Sequence, residues 1–195
     1  MRGALIVFEG LDQSGKQTQA ETLAARLIDA GRRVRLMSFP DYETPIGAEI
    51  ERALQGERDY APEVMQLLYV ANRYEWKHEL IREKTSGTIV ICDRYVASSV
   101  AYGEAHGLDP AWLVEIQKNL PQPDITFLLD ITPDVSARRK TTDRDRYERD
   151  LSLLARVRDS YLRQITDSWI RVDADRDRDL LSAEIHDAVF SQFSS

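Results

Sequence analysis

The sequence of 195 residues contains only one cysteine, Cys92, and no long apolar run. A single cysteine excludes an intrachain disulfide, which favours a reducing compartment. No segment has the ~20 consecutive apolar residues that a membrane-spanning helix needs, and the apolar run at residues 4–8 is too short for a signal peptide. These absences predict a cytoplasmic protein that does not bind a membrane.

Basic residues are in the minority, because 26 lysines and arginines stand against 33 aspartates and glutamates, which gives a net charge of −7. Proteins that bind long DNA or RNA usually carry a positive balance, so we expect no nucleic acid polymer as a partner. A small phosphorylated ligand is compatible with this charge, since a local cluster of arginines can bind it. Internal repeats, low-complexity segments and interdomain linkers are also absent from the sequence, and its length suits a single domain over residues 1–195.

The chain does contain a regular alternation of short β-branched runs with longer stretches of helical period. Strands are predicted at residues 5–9, 33–39, 88–92, 124–131 and 169–172. Helices are predicted at residues 16–30, 45–55, 62–84, 96–106, 109–120, from 132 onwards, 147–166 and 178–193. This order predicts an α/β fold in three layers, with a five-stranded parallel sheet and helices on both of its faces. The charge-dense stretch at about 138–146 is predicted to be a short lid.

Residues 10–18, between the first strand and the first helix, read Gly-Leu-Asp-Gln-Ser-Gly-Lys-Gln-Thr and contain the phosphate-binding pattern Gly-x4-Gly-Lys. The glycines let backbone N–H groups converge on phosphate oxygens, and the amino terminus of the helix adds partial positive charge. Lys16 reaches the β and γ phosphates. The motif predicts the P-loop NTP hydrolase-like form of the fold, with ATP as phosphoryl donor. We assign ATP binding to Gly10, Leu11, Asp12, Gln13, Ser14, Gly15, Lys16, Gln17 and Thr18.

The metal-binding part of this pattern departs from the usual one. Gln17 replaces the hydroxyl residue that normally follows the lysine and binds Mg²⁺, and Thr18 lies about 100° further round the helix, so it cannot simply substitute. We therefore expect Mg²⁺ to be held through carboxylates and water. Asp93, at the carboxyl end of a buried strand, is the first candidate, although such an acid can also cap the next turn. Glu9 is the second candidate, through water, although it can instead order the loop.

Three blocks together resemble the signature of the thymidylate kinase family. They are residues 8–16 (Phe-Glu-Gly-Leu-Asp-Gln-Ser-Gly-Lys), residues 39–40 (Phe-Pro) and residues 93–102 (Asp-Arg-Tyr-Val-Ala-Ser-Ser-Val-Ala-Tyr). Their order and spacing agree with the family across essentially the whole chain. The resemblance implies a kinase that phosphorylates dTMP to dTDP with ATP and Mg²⁺, as in the synthesis of dTTP. It also implies a symmetric homodimer formed through the long helix at residues 62–84.

The resemblance further implies roles for individual residues. Asp12 contacts the sugar 3′-hydroxyl or helps to organise Mg²⁺, and Arg94 binds the acceptor phosphate, for which a planar guanidinium is suited. Arg73 hydrogen-bonds the thymine, Tyr69 stacks on the base, and Tyr102 crowds the sugar 2′ position. From helical spacing alone, ordinary packing explains both tyrosines better, so their roles depend on the resemblance.

The same comparison of motifs covers the remaining acceptor residues. Ser98 and Ser99 fall where the family contacts the base edge, and Glu148 resembles a family glutamate near the sugar 3′-hydroxyl. Asp41 stands where many members carry a basic residue near the acceptor phosphate. Tyr42, the next residue, is therefore expected to hydrogen-bond this phosphate or a magnesium-bound water.

The predicted lid is rich in arginine, and phosphoryl transfer requires positive charge around the transferring group. In the family, one catalytic arginine comes from the phosphate loop in some members and from the lid in others. Because Gln13 is uncharged, we expect the lid to supply it, with Arg139 and Arg144 as first choices and Arg146 next. Acidic residues alternate with these arginines, so a solvated charged helix is the alternative. The candidate catalytic residues are Lys16, Arg94, Arg139, Arg144 and Asp12.

Two other functions are compatible with parts of this pattern. A related kinase would phosphorylate a deoxynucleoside or a different monophosphate in preference to dTMP. A P-loop ATPase or GTPase that acts as a switch would need a guanine-reading or partner-activated signature, and the sequence has no Asn-Lys-x-Asp.

Overall fold

The computed structural model describes residues 3–139 and 150–193, which form a five-stranded parallel sheet in the order β2-β3-β1-β4-β5. The strands are β1 (Ala4–Glu9), β2 (Val34–Ser38), β3 (Ile89–Asp93), β4 (Ile125–Asp130) and β5 (Trp169–Asp173). The helices are α1 (Lys16–Asp29), α2 (Pro45–Leu54), α3 (Pro62–Glu75), α4 (Lys77–Thr85), α5 (Val96–Ala105), α6 (Pro110–Glu115), α7 (Pro133–Arg139), α8 (Leu151–Arg163) and α9 (Arg178–Phe193). The predicted α/β fold is confirmed.

The central strands are buried because both of their faces are apolar. In β1, Ile6 and Phe8 belong to one apolar cluster, and Leu5 and Val7 belong to a second cluster on the opposite face. On the first face, Phe8 stacks on Phe127 of β4 with 5.3 Å between ring centroids. Helices cover both clusters, so the sheet is a rigid inner layer from which loops at its carboxyl edge can project.

The register of β1 and β3 determines where the functional loops meet. Phe8 pairs with Asp93, so the two strands end side by side. The loop that follows β1, residues 10–15, therefore lies next to the turn that follows β3 and contains Arg94. Ligands of open α/β sheets gather at this edge.

The prediction of one long helix at residues 62–84 is wrong, since the structure divides this segment into α3 and α4 at Trp76. Neither glycine nor proline marks this break in the sequence. The Trp76 side chain packs against the cluster that contains Leu80, and the Arg35 guanidinium lies 5.2 Å from the centroid of its ring. Tertiary contacts of a large ring thus prevail over a continuous helical period.

Two further helices differ from the prediction. The helix predicted at 109–120 ends as α6 at Glu115, and turns lead from there to Leu120. Of the helix predicted at 147–166, the structure gives α8 from Leu151 to Arg163, while residues 147–149 and most of the predicted lid lie outside the described residues. No helix within the described ranges combines the length and the apolar character that crossing a bilayer requires.

Candidate active site

The loop between β1 and α1 turns through two glycines with positive φ angles. Gly10 has φ 141° and Gly15 has φ 93°. A Cβ atom at Gly10 would lie 2.5 Å from the Leu129 carbonyl oxygen, so a side chain does not fit there. Gly15 is also the N-cap of α1, which leaves the first N–H groups of the helix available to the loop. The turn therefore presents backbone donors where a phosphate can bind.

Lys16 is the first residue of α1 and is only 6% exposed. Its Nζ atom donates a hydrogen bond to the Leu11 carbonyl oxygen at 2.8 Å. Burial, and then repulsion from Arg94, lower the pKa of the Lys16 ammonium group to about 8. A phosphate in the loop would supply the negative charge that stabilises this buried ammonium group.

The other side chains of the loop and of the first helical turn face different surroundings. Gln17 is exposed, and its Nε2 donates to Glu21 Oε1 at 2.9 Å, which ties the amide to the solvent side of α1. Thr18 is exposed as well. Ser14 is buried, and its Oγ has no hydrogen-bond partner within the described part of the chain. The phosphate-binding capacity of the loop therefore rests mainly on backbone N–H groups and the lysine.

Asp12 and Arg94 form an ion pair across the gap between the two loops. The Tyr102 hydroxyl donates to the second carboxylate oxygen of Asp12 at 2.8 Å, and the Arg94 guanidinium lies 5.3 Å from the Tyr102 ring centroid. Burial alone would raise the pKa of Asp12, but the charges of Arg94 and Lys16 lower it to about 2. Asp12 is thus an anion at any physiological pH and binds one edge of the Arg94 guanidinium.

Glu9 is completely buried below this pair, and its carboxylate is surrounded by protein donors. Oε1 accepts N–H groups of Tyr95 at 2.9 Å and Ser98 at 3.3 Å, at the start of α5. Oε2 accepts the Ser98 hydroxyl at 2.7 Å and the Tyr161 hydroxyl at 3.1 Å. Of the two alternatives for Glu9, this arrangement favours the ordering of the loop over a place in the water shell of a metal.

Arg73 projects from α3 into the interior and is 3% exposed. Its Nη1 donates to Ser99 Oγ at 2.7 Å and to Gln117 Oε1 at 3.2 Å. The Gln117 amide is itself held, because Nε2 donates to the Leu113 carbonyl oxygen at 2.9 Å. Two partners, Ser99 on α5 and Gln117 after α6, thus hold the guanidinium that the sequence assigns to the base.

One cleft unites the acceptor residues predicted from the sequence. Its walls come from the loops after β1, β2 and β3 and from α3 and α5. The predicted residues that line it are Asp12, Tyr42, Tyr69, Arg73, Arg94, Ser98, Ser99 and Tyr102. Glu148, the remaining predicted acceptor residue, lies outside the described residues. The cleft opens beside the phosphate loop, so a ligand in it would face a phosphate on that loop.

Besides Gln117, sequence reasoning missed three polar residues of this region. Gln66 and His106 line the cleft, and the Tyr161 hydroxyl lies behind Arg94 at 3.3 Å from Nη1. Tyr161 shares a helical face with Leu154 and Val157, so its spacing on α8 gives the signal of an ordinary core position. Only the contacts made by its hydroxyl distinguish it from a packing residue.

Asp93 offers a carboxylate where a magnesium ion would be expected. It ends β3, and its Oδ1 is buried without a hydrogen-bond partner among the described residues. Elsewhere in residues 3–139 and 150–193, no three carboxylate, imidazole or thiol groups come together as a metal site. Mg²⁺ usually keeps several waters and binds one or two carboxylates together with substrate phosphates. Asp93 fits that mode of binding, and a cage made only of protein groups is not available here.

Arg139, at the end of α7, lies on the side of the loop away from the acceptor cleft. Its Nη1 donates to the Gln13 carbonyl oxygen at 3.2 Å, and its Nη2 donates to the Ala174 carbonyl oxygen at 2.8 Å and to Asp175 Oδ1 at 3.2 Å. The guanidinium thus bridges the phosphate loop and the turn after β5. Arg144 and Arg146 fall outside the described residues.

Comparison with known proteins is consistent with this geometry. A family model described as thymidylate kinase matches residues 8–185 of the chain. The thymidylate kinase of Arabidopsis thaliana is 38% identical over 192 residues, which cover 98% of this chain and 72% of that protein. The thymidylate kinase of Homo sapiens is 34% identical over 188 residues, which cover 94% and 88%. A solved structure of thymidylate kinase from Candida albicans has a TM-score of 0.85 at 29% identity, and the match covers 98% of this chain and 92% of that chain.

Proposed function

This chain belongs to the thymidylate kinase family, and we propose that it transfers the γ-phosphoryl group of ATP to dTMP, with Mg²⁺ bound at the phosphates. The family and the kinase activity predicted from the sequence agree with these similarities. The observation that carries the residue assignments is the meeting of two anion-binding elements at one sheet edge. The loop with Lys16 lies on one side, and the cleft with Arg94 lies on the other.

The acceptor side suits a pyrimidine deoxynucleotide. The Arg94 guanidinium binds the acceptor phosphate, since a planar fork matches two phosphate oxygens. Arg73 donates to a carbonyl of the base, and Tyr69 offers it an aromatic face. Tyr102 would crowd a 2′-hydroxyl on the acceptor sugar, and the hydrogen bond from its hydroxyl to Asp12 at 2.8 Å supports this role by fixing the side chain beside Arg94. Ser98, Ser99 and Tyr42 complete the contacts at the base edge and the phosphate.

The donor side suits the triphosphate of ATP. The N–H groups of residues 10–18 and the Lys16 ammonium bind the β and γ phosphates. Arg139 lies beside the same loop and is placed to act on the transferring phosphoryl group, and Arg144 is proposed to join it when the lid closes. Glu148 is proposed to contact the sugar 3′-hydroxyl of the acceptor. In this arrangement the protein aligns the two phosphates and surrounds them with fixed positive charge, which is the main contribution that proteins make to phosphoryl transfer.

Mg²⁺ is proposed to neutralise charge on the ATP phosphates when it is bound. Asp93 would hold it or its waters, since Asp93 Oδ1 is buried and lacks a protein partner among the described residues. Gln17 Nε2 is tied to Glu21, and residue 17 lacks the hydroxyl ligand that is usual in P-loop proteins.

The outer side of the paired helices supports a homodimer as the working form. Val64 and Leu67 on α3 and Ile81 on α4 are 39%, 47% and 45% exposed, although their spacing is that of an apolar helix face. Exposed apolar residues on a helix face fit a protein interface. The variant Leu67→Glu should therefore shift the protein to monomers in light scattering, whereas Glu63→Gln on the same helix should not. A monomeric parent protein would refute the homodimer.

The remaining proposals concern organisation and location. A single domain over 1–195 is supported by one sheet that joins strands from both ends of the described chain. A cytoplasmic location is supported by the use of ATP and by the buried, unpaired state of Cys92.

The decisive experiment is a coupled assay with ATP and a panel of acceptors. We expect dTMP to be preferred over dUMP and dCMP, UMP to be the poorest acceptor, and unphosphorylated thymidine to be inactive. Lys16→Ala should reduce turnover strongly, and Arg94→Ala should mainly weaken dTMP binding. Equal or better turnover of UMP, or a preference for thymidine, would refute the proposed acceptor.

A further inference from the structure

Behind Arg94 lies a buried hydrogen-bond network that the phosphoryl-transfer scheme does not use. The Tyr161 hydroxyl, on a side chain that is 1% exposed, accepts from Arg94 Nη1 at 3.3 Å and donates to Glu9 Oε2 at 3.1 Å. Its oxygen is also 2.8 Å from Ser98 Oγ. Neither Tyr161 nor Glu9 is among the described residues that line the acceptor cleft. Both residues therefore act on a ligand only through their neighbours.

The backbone of Arg94 shows why such support is needed. Its φ angle is 65°, in the left-handed region that costs an L-residue about 1–2 kcal/mol. Strained conformations of this kind persist at functional sites only when the surroundings hold them. The Arg94 N–H donates to the Phe8 carbonyl oxygen at 2.9 Å, and Glu9 accepts the next N–H, that of Tyr95. The side chain is held in the same way. Asp12 binds one edge of the guanidinium, and Nη1 on the other edge donates to the Gly10 carbonyl oxygen, the Ser98 hydroxyl and the Tyr161 hydroxyl.

We propose that Tyr161 and Glu9 are a pair of positioning residues that hold the Arg94 guanidinium toward the phosphate of the acceptor nucleotide. The proposal rests on the proposed function, in which Arg94 binds that phosphate. Glu9 orders the turn because it accepts backbone N–H groups of Tyr95 and Ser98. The Tyr161 hydroxyl links the Glu9 carboxylate to the Arg94 guanidinium by one hydrogen bond to each. Since a hydrogen bond to a charged group is involved, loss of the hydroxyl should weaken dTMP binding about tenfold.

The hydroxyl stays neutral under all conditions of interest. Burial, and then the charge of Glu9, raise the pKa of Tyr161 well above its usual value. The Tyr161 hydroxyl therefore remains available to accept from Arg94 across the pH range of an assay, and a Tyr161 variant should show the same loss at pH 7 and at pH 8.5.

The test compares two ligands that differ only in the phosphate. For Tyr161→Phe, calorimetry should show about tenfold weaker binding of dTMP, unchanged binding of thymidine and unchanged binding of a non-hydrolysable ATP analogue. A residue that merely supported the fold would weaken dTMP and thymidine equally. The matched control is Tyr60→Phe, which removes another tyrosine hydroxyl that donates to a carboxylate, that of Glu49 at 2.6 Å, and Tyr60 is not among the described residues that line the cleft. This control should bind all three ligands as the parent does.

A double-mutant cycle separates this inference from the proposed function. Arg94→Lys keeps the charge but removes the fork, so it should weaken dTMP binding, and adding Tyr161→Phe should then cost little more. Additive losses, an unchanged Tyr161→Phe, or equal loss of dTMP and thymidine would each overturn the positioning role alone. Normal dTMP binding by Arg94→Lys would overturn the assignment of Arg94 as well. If Tyr161→Phe does not fold, Glu9→Gln must show the same selective loss of dTMP.

Discussion

The pKa of Lys16 leads to a direct prediction about proton uptake on donor binding. The ammonium is 6% exposed, and burial followed by repulsion from Arg94 brings its pKa to about 8. Phosphate oxygens beside Nζ favour the charged form and must raise this pKa again. Binding of a nucleotide donor above neutral pH therefore requires the protein to take up a proton, and its affinity should fall as pH rises.

The size of the effect follows from the titration curve. With a pKa near 8, about one-quarter of Lys16 is neutral at pH 7.5 and about three-quarters is neutral at pH 8.5, so these are the protons taken up on binding. If only the charged form binds phosphate, affinity for ATP falls about tenfold between pH 7 and pH 9. The stability of the ligand-free protein changes with pH in the opposite direction to its affinity for ATP. Because the folded pKa lies below the unfolded value of 10.5, the unfolded state binds more protons between about pH 8 and 10.5, and the stability contributed by this group rises with pH in that window.

The measurement is calorimetry of a non-hydrolysable ATP analogue in buffers with different enthalpies of ionisation, at pH 7.5 and at pH 8.5. The dependence of heat on buffer gives the number of protons. The protons released by the phosphates of the nucleotide are measured by titration without protein and subtracted. The controls are ATP-analogue binding to the variant Lys16→Met and dTMP binding to the parent. In neither should proton uptake increase between pH 7.5 and pH 8.5. Equal proton uptake by the parent at the two pH values would show that Lys16 does not titrate here, and the argument would fail.

Three further changes test other parts of the structure. Gln117→Ala removes an acceptor 3.2 Å from Arg73 Nη1 and should weaken dTMP binding by about tenfold in calorimetry, while ATP binding stays constant. Gln17→Ser restores the usual hydroxyl and should strengthen Mn²⁺ binding to the protein–ADP complex, as measured by electron paramagnetic resonance. An unchanged Mn²⁺ concentration at half-saturation would argue against metal contact at this position. Phe127→Ala removes a ring that is 0% exposed and stacked on Phe8, and should lower the free energy of unfolding in urea by about 3–5 kcal/mol. A loss below 1 kcal/mol would contradict the packing described for the sheet.

Much of the fold could be predicted because its elements are locally marked. The central strands β1, β3 and β4 are nearly continuous apolar runs, as strands buried on both faces must be. Pro45, Pro62 and Pro110 begin helices at the position where a missing N–H costs nothing. The break at Trp76 could not be predicted, since it depends on where a ring packs in three dimensions and leaves no local trace.

The residues of the candidate site also differ in how far the local sequence marks them. The phosphate loop was visible because glycines and a lysine at fixed spacing form a local device. The acceptor residues, such as Arg73 and Tyr102, were identified only through resemblance, because helical spacing makes them look like packing residues. Gln117 and Tyr161 escaped altogether. Their roles come from hydrogen bonds across 44 and 67 residues of sequence, and no local pattern records such contacts.

The charge of the chain illustrates why a site must be judged by burial and pairing. A net charge of −7 argues against binding long nucleic acid, yet Lys16, Arg73 and Arg94 are gathered at one side of the fold with little access to water. Burial makes their charges costly, and the structure offsets that cost with the carboxylates Asp12 and Glu9 close by. The same exclusion of water strengthens their attraction for an incoming phosphate. An acidic protein can thus bind two polyanions side by side, because the surface acids are screened by salt over about 8–10 Å while the buried cations face the ligands directly.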